Sequence, residues 1–215
     1  ISFRTSLQKI APCDDANLLA LGRLLLTSGK KTEAARLLAG LITADPGQPS
    51  SLIQAASRTV RFEAAMLLGK AIDQAGLRIL LPSATSIPAA RTPAAGIPPY
   101  QTIAVSSTAF HNGRKEEAFS ILNAATRVSD NADLALALGI FAEEDGRITD
   151  AIKAYLACLS HRPDDSDLRR RLVHLFVVRA RTARQPAYQY YQALHVAGPL
   201  LPDGFSAYYD EPWVV

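Results

Sequence analysis

The chain has 215 residues, enough for one good-sized domain or two small ones. Hydrophobic residues make up 48% of it and charged residues 20%, the ordinary balance of a globular protein, and Ala and Leu, the strongest helix formers, dominate the apolar share. A formal net charge of +3 is too small to favour nucleic acid as a partner, and no run of about 18 apolar residues predicts a transmembrane segment.

The start and the composition of the chain bear on its source. It begins at Ile1 rather than at Met, so it is either a fragment or a chain from which a signal peptide was removed. In the second case a periplasmic or cell-envelope location is expected. Abundant Ala and an excess of Arg over Lys favour a GC-rich bacterial source.

The first predicted element is a pair of helices. Asp14 and Asp15 stand where a helix N-cap is expected, and Gly29 is placed to end the first helix. Gly22 lies inside that helix, where Gly costs about 1 kcal/mol relative to Ala, so close approach by a second helix is expected there. The second helix is predicted from about Thr32 to Thr43. The residues expected to face inward are Leu18, Leu21, Leu25, Ala34, Leu38 and Leu41.

The same residue types recur 117 positions later in the chain. The first copy holds Leu21-Gly22, Gly29, Glu33-Ala34, Leu38 and Pro46. The second copy holds Leu138-Gly139, Gly146, Asp150-Ala151, Tyr155 and Pro163. A constant offset over an ordered set of residue types indicates an internal repeat.

This ordered set resembles the tetratricopeptide repeat, a unit of about 34 residues that forms two antiparallel helices. The usual Trp and the first Tyr of that pattern are missing from both copies. The resemblance covers about residues 14–74 and 100–180. It implies an all-α protein whose antiparallel helical hairpins stack as a solenoid; a generic helical bundle is the alternative.

Weaker copies lie between and after the two clear ones. One of them, offset by 30 residues from the first, predicts a second unit with a shortened first helix; it holds Glu63-Ala64, Leu67-Leu68 and Ala71-Ile72. Another predicts a third unit and holds Gly113, Glu117-Ala118, Leu122 and Ala125. A further helix is predicted from about Ser166, and the residues on its apolar side are Leu168, Leu172, Leu175 and Phe176. It is expected to pair with a last helix around Ala187 to Val196.

Two segments interrupt the helical pattern. Residues 77–100 carry Pro82, Pro88, Pro93, Pro98 and Pro99, which forbid a long helix and predict an extended segment, either a linker or a strap lying on another surface. Residues 198–215 form an irregular aromatic tail, which either anchors to a partner or folds back as a cap on the last helix pair. The predicted organisation is therefore repeats in 1–76, the Pro-rich segment in 77–100, repeats in 101–197 and the tail in 198–215.

No catalytic, cofactor-binding or metal-binding residues are predicted. The four His have no metal-ligand spacing with one another or with a Cys, and the sequence has no phosphate-binding loop, nucleophile elbow or dinucleotide fingerprint. Cys13 and Cys158 are too few for a disulfide framework. Cys158 falls at an inward position of a second helix, which predicts a buried thiol.

A basic run leaves three interpretations open: a solvated helix face with local ion pairs, a surface for an acidic protein, or a site for nucleic acid or anionic lipid. It consists of Arg169, Arg170, Arg171, Arg179, Arg181 and Arg184. Asp164, Asp165 and Asp167 partly neutralise it.

The tetratricopeptide resemblance also implies a partner-binding groove lined by the first helices of the hairpins. Carried over to this sequence, the groove positions are Leu19, Arg23, Leu136, Ile140, Glu143, Glu144, Arg170 and His174. Tyr208, Tyr209 and Trp213 of the tail are further candidates for partner contact.

The expected function is therefore a non-catalytic scaffold or accessory subunit of a larger bacterial complex, without cofactor or small-molecule substrate. A transient peptide-binding adaptor or chaperone is the first alternative. A fragment of a larger secretion or polysaccharide-export protein is the second.

Overall fold

The computed structural model describes residues 15–43, 57–81 and 98–200. Within these ranges all regular secondary structure is helical, which confirms the predicted all-α class. The chain divides at Asp130 and Asn131 into two compact units, not at the Pro-rich segment. None of the described helices is both long and apolar enough to cross a bilayer.

Six described helices belong to the first unit. They are α1 (Asp15–Thr27), α2 (Lys31–Thr43), α3 (Arg58–Ala71), α4 (Gln74–Leu80), α5 (Pro99–His111) and α6 (Lys115–Val128). Consecutive long helices pack on each other, α1 on α2, α2 on α3, α3 on α5 and α5 on α6, and α1 also contacts α3. The predicted hairpins α1–α2 and α5–α6 both form, and each turns at a Gly with positive φ, Gly29 at 79° and Gly113 at 82°.

Helix α5 is the most deeply buried element of the described chain, because residues 102–110 are all buried. Four of them carry hydroxyl groups, which lie in the interior only because each finds a backbone acceptor. Ser106 donates to the carbonyl oxygen of Thr102 and Thr108 to that of Ala104, each at 2.9 Å. Ser107 instead donates across to Met66 of α3 at 2.8 Å.

Helix α3 plays a different part from the one its sequence predicts. Residues 63–72 echo the second helix of the first hairpin, but α3 packs on α5, and its Gly69 lies so close to Ser107 that an added Cβ would meet the Ser107 backbone carbon at 2.4 Å. Gly22 has the corresponding close approach in α1, with Leu38 Cδ2 at 2.9 Å from such a Cβ. The tight glycine crossing therefore makes α3 resemble a first helix, and the residues expected to form a shortened first helix before it lie partly outside the described ranges.

The second unit contains four described helices and a short 3-10 turn. They are α7 (Ala132–Glu144), α8 (Ile148–His161), α9 (Ser166–Ala180), α10 (Pro186–Ala197) and the turn Gly198–Leu200. Each of these helices packs on the next. Asn131 and Asp165 accept backbone hydrogen bonds at the starts of α7 and α9, as N-caps do. The predicted helix pair after Ser166 is confirmed as α9 and α10.

The Pro-rich segment is shorter than predicted at both ends. Residues 77–80 belong to α4, whose first turn is capped by Asp73 and whose Leu77 is fully buried, and Leu81 directly after the helix is also buried. Pro82 then follows, which explains why α4 has only two turns. Pro99 starts α5, where a missing N–H costs nothing. Residues 82–97 lie outside the described ranges.

Candidate functional site

The three consecutive arginines of α9 have three different roles. Arg169 is structural: its guanidinium donates to the carbonyl oxygen of Pro163 at 2.7 and 3.0 Å and to that of Val196, at the end of α10, at 3.1 Å. Arg170 is exposed and pairs with Asp167 one turn earlier, at 2.6 Å. Packing therefore gives the residues of the basic run different roles: Arg169 is used within the second unit, whereas Arg170 is accessible to a partner.

The third arginine, Arg171, belongs to a polar cluster that joins three helices. Its Nη1 lies 3.2 Å from Glu143 Oε2 on α7 and 3.1 Å from the hydroxyl oxygen of Tyr155 on α8. Tyr155 in turn donates to the same Glu143 oxygen at 2.7 Å, and the guanidinium lies 5.9 Å from the centre of the Tyr155 ring. Glu143, Tyr155 and Arg171 are named here the polar cluster.

Tyr155 acts in this cluster as a hydrogen-bond donor. Burial, and then the hydrogen bond to Glu143, raises the pKa of the Tyr155 phenol well above its ordinary value of 10.0, so the hydroxyl stays protonated. A protonated phenol and a guanidinium both donate to one carboxylate, which satisfies the charge of Glu143 inside the protein. The cluster consequently fixes α9 against the α7–α8 hairpin.

The cluster also links Glu143, a predicted groove residue of α7, to α9, on which two further predicted groove residues lie. On α7 the half-buried Leu136 and Ile140 lead along one helical face to Glu143. On α9 the exposed Arg170 and His174 flank Arg171. We name this surface the α7–α9 face; it comprises Leu136, Ile140, Glu143, Arg170, Arg171 and His174. Glu144 is exposed at the end of α7.

The two groove residues predicted on α1 have different environments. Leu19 is only 6% exposed, so its side chain is a core contact of the first unit and does not present a surface to a partner. Arg23 is exposed and forms an ion pair with Glu63 of α3. Tyr208, Tyr209 and Trp213 lie outside the described residues.

Sequence reasoning missed two residues of the polar cluster as parts of a site. In the sequence Arg171 is one member of a basic run, and Tyr155 is one position of the second copy of the repeat. A usable signal was present, because a buried Tyr hydroxyl normally needs a hydrogen-bond partner. The pair of Asp133 and Arg162 was also missed: this ion pair joins the start of α7 to the end of α8, and Asp133 is only 1% exposed.

An open cleft and a buried thiol are further features of the second unit. The cleft, of about 420 Å³, lies where the α7–α8 turn meets the end of α9. It is lined by Gly146, Arg147, Ile148, Thr149, Asp150, Val178, Arg179 and Thr182. Cys158 is fully buried on α8, as predicted. No group of three or more His, Cys, Asp or Glu in the described ranges is placed to hold a metal ion.

Comparison of the chain with models of protein families, with curated proteins and with solved structures finds no match. The likeness to the tetratricopeptide repeat therefore depends on the repeated residues of this sequence.

Proposed function

We propose that this protein is a non-catalytic interaction subunit whose hairpins stack in the manner of tetratricopeptide repeats and which serves as a scaffold or accessory subunit of a larger complex. The observation that carries the proposal is the contact of Glu143 with Arg171. This contact joins α7, which carries the half-buried Leu136 and Ile140, to α9, which carries the exposed Arg170 and His174. Such a mixed surface suits a protein segment better than a small molecule.

The charges of the α7–α9 face indicate what kind of segment it would bind. The Glu143 carboxylate already accepts hydrogen bonds from Tyr155 and Arg171, so it contributes little negative potential to the α7–α9 face. Within the described ranges Arg170 pairs with the highly exposed Asp167, and exposed ion pairs of this kind contribute about 0–1 kcal/mol. Arg170 can exchange that partner for another carboxylate at small cost. The favoured ligand is a protein segment with apolar side chains next to acidic ones.

A charge reversal with a closely matched control tests the proposal. Arg170→Glu removes the exposed cation of the α7–α9 face. Lys153→Glu on α8 is the control, since Lys153 is likewise exposed and likewise pairs with an Asp three residues earlier, Asp150. The tagged full chain and both variants are incubated with extract of the native source, and proteins retained in stoichiometric amount are quantified.

The expected result is a partner retained by the original chain and by Lys153→Glu, with a loss of about tenfold or more for Arg170→Glu, the size of one desolvated charge contact. Equal retention by both variants would remove the α7–α9 face from the proposal. A lone monomer on size exclusion, with no protein retained in stoichiometric amount, would remove the scaffold function itself. Reproducible turnover by the purified chain that is lost in Cys158→Ala would overturn the non-catalytic assignment.

A further inference from the structure

The open cleft of the second unit is separate from the surface to which partner binding is assigned. It lies where the α7–α8 turn meets the end of α9, and none of its lining residues belongs to the α7–α9 face. Its volume of about 420 Å³ is within the range of about 300–1,000 Å³ that is usual for small-molecule sites. The cleft is therefore large enough for a small ligand, and the chemistry of its lining indicates which kind.

Arg179 gives the strongest indication of an anionic ligand. This arginine is half-buried in the last turn of α9 and lines the cleft. Among the described residues no oxygen accepts a hydrogen bond from its guanidinium, whereas Arg169, Arg170 and Arg171 of the same helix all have acceptors. Partial burial of a cation without a counter-charge has a free-energy cost, so this guanidinium favours an anionic acceptor in the cleft.

Other donors of the lining come from the α7–α8 side. Arg147 lines the cleft there, and its Nε donates to Asp145 Oδ2 at 3.0 Å, so its charge is partly compensated. The hydroxyl group of Thr182 already donates to the Arg179 carbonyl oxygen at 3.2 Å. The exposed Thr149, at the start of α8, adds a hydroxyl group that remains able to donate.

The charges around the cleft also favour an anion. Asp150 is the one carboxylate among the lining residues, and its Oδ1 lies 4.0 Å from Lys153 Nζ. Arg181 and Arg184 are exposed in the connection that follows α9, and no ion pair joins either of them to a carboxylate of the described ranges. Cations therefore outnumber carboxylates on this part of the second unit, which attracts negatively charged ligands.

The lining also contains apolar side chains. Ile148 at the start of α8 and Val178 in the last turn of α9 are both half-buried. An inorganic ion would leave these side chains in contact with water, whereas an aliphatic group would cover them and gain about 25 cal/mol per Å² of apolar surface. A ligand that suits the whole lining therefore has both an anionic group and an aliphatic part.

We propose that this cleft binds a small organic carboxylate. The carboxylate lies against the Arg179 guanidinium, whose planar fork can donate two parallel hydrogen bonds to it, and the aliphatic part lies against Ile148 and Val178. Such a ligand contacts both the α7–α8 turn and α9, so its binding stabilises the packing of α9 on the hairpin. This inference goes beyond the proposed function, because it assigns a small-molecule site to a part of the second unit outside the α7–α9 face.

Titration of the isotopically labelled full chain with three probes tests the site. Hexanoate has both chemical features, hexanamide replaces the carboxylate by a neutral amide, and inorganic phosphate is an anion without an aliphatic part. Binding is followed by the NMR chemical shifts of the backbone amides of residues 146–150 and 178–182.

Variants of Arg179 test the role of the guanidinium. Arg179→Met removes the charge but keeps an unbranched apolar side chain, and Arg179→Lys keeps the charge without the planar fork. The control is Arg127→Met, because Arg127 is likewise an arginine in the last turn of a helix, α6, but belongs to the first unit. Circular dichroism checks that each variant keeps its helices.

The expected result is a saturable shift of these amides by hexanoate at millimolar concentration, with an affinity about tenfold or more weaker for hexanamide and for phosphate. Arg179→Met should weaken the binding of hexanoate about tenfold or more, Arg179→Lys should keep part of the affinity, and Arg127→Met should keep all of it.

Three outcomes would overturn the proposal. The first is the absence of a saturable shift in residues 146–150 and 178–182. The second is binding of hexanamide or phosphate as tight as that of hexanoate, which the original chain shows without any variant. The third is hexanoate binding that Arg179→Met leaves unchanged.

Discussion

At the scale of single residues, glycines set how closely the helices of this protein approach each other. Gly139 would place a Cβ 2.4 Å from the ring of Tyr155, Gly22 would place one against the end of Leu38, and Gly69 would place one against the backbone of Ser107. A flexible side-chain end can move aside, whereas a neighbouring backbone cannot. The three sites therefore differ in how much an added methyl group would lower the free energy of unfolding.

This difference predicts unequal effects for two substitutions within the first unit. Gly69→Ala should lower the free energy of unfolding by about 1–3 kcal/mol, because the methyl group overpacks against backbone. Gly22→Ala should cost much less, since movement of Leu38 relieves the contact and Ala gains about 1 kcal/mol of helix propensity. Urea denaturation followed by circular dichroism measures both. Equal losses of stability would contradict the close packing of α3 on α5.

Tyr155 gives a second residue-scale prediction, in the pH dependence of stability. The unfolded chain releases this phenol proton above about pH 10, whereas the folded chain retains it because burial and Glu143 raise the pKa. The unfolded state then binds fewer protons, so stability falls as the pH rises above 10. Tyr155→Phe should lose about 1 kcal/mol at pH 7, where the hydrogen bond to Glu143 is removed, and should show a shallower fall at high pH.

The measurement is the urea midpoint of each protein between pH 7 and pH 11. Tyr190→Phe serves as the control, because Tyr190 is 45% exposed on α10 and donates no hydrogen bond comparable to that of Tyr155 in the described structure. Tyr190→Phe should lose stability above pH 10 as steeply as the original chain does. Parallel curves for Tyr155→Phe and the original chain would show that the phenol does not contribute to the alkaline loss of stability.

At the scale of elements, α9 organises the second unit. Its buried side chains pack the helix, its Arg171 contacts both helices of the preceding hairpin, and its Arg169 donates to the Val196 carbonyl in the last turn of α10. The first turn of α9 and the last turn of α10 are thus joined by one guanidinium.

Arg169→Met should therefore loosen the end of α10 while leaving α9 helical. Three hydrogen bonds to backbone carbonyls are lost. Amide hydrogen exchange should therefore accelerate in the last turn of α10 and in the turn around Pro163 that precedes α9. Arg170→Met is the neighbouring control and should change exchange little, because its exposed pair with Asp167 contributes little. Unchanged exchange in α10 after Arg169→Met would show that the hydrogen bond to Val196 does not stabilise the end of α10.

At the scale of the whole molecule, the α7–α9 face and the exposed apolar side chains of α10 belong to different helices of the second unit. Tyr188, Tyr190 and Leu194 of α10 are 59%, 45% and 38% exposed, and none of them is a member of the polar cluster. If the α7–α9 face alone binds the partner, substitutions among these α10 residues should leave partner retention unchanged.

This separation predicts unequal effects on partner retention. Arg170→Glu should lower partner retention about tenfold or more, because it reverses the exposed charge of the α7–α9 face. Tyr190→Ser/Leu194→Ser should leave partner retention unchanged. Retention is measured on each full-length variant, with circular dichroism to show that the helices are intact. A loss of the partner in the α10 variant would show that the partner also contacts α10.

Local patterns in the sequence were enough to predict the hairpins α1–α2, α5–α6 and α7–α8 and the helix pair α9–α10, but they did not predict α4. Gly29, Gly113 and Gly146 mark turns because positive φ is costly for other residues, and the apolar stripes of α1 and α9 mark their buried sides at a spacing of 3.6 residues. These signals act within a few residues, so they can be read without knowledge of the fold. They also predicted the burial of Cys158.

Longer-range roles depended on the tertiary structure. Residues 63–72 carry the pattern of a second helix, yet Gly69 packs α3 against Ser107 of α5, a helix that lies much further along the chain. Nothing in a local pattern tells which helix will lie against a glycine, because that contact joins residues far apart in sequence.

The arginines of α9 show most clearly which properties the sequence determines and which depend on the tertiary structure. By itself the sequence determined that three consecutive basic residues lie on one helix, and hence that they point in three directions around it. Only the tertiary structure decided that Arg169 meets backbone carbonyls, Arg170 faces solvent and Arg171 meets Glu143 and Tyr155. The physical reason is that a guanidinium takes its role from the acceptors that packing brings within hydrogen-bond distance, and Val196, Glu143 and Tyr155 come from other helices.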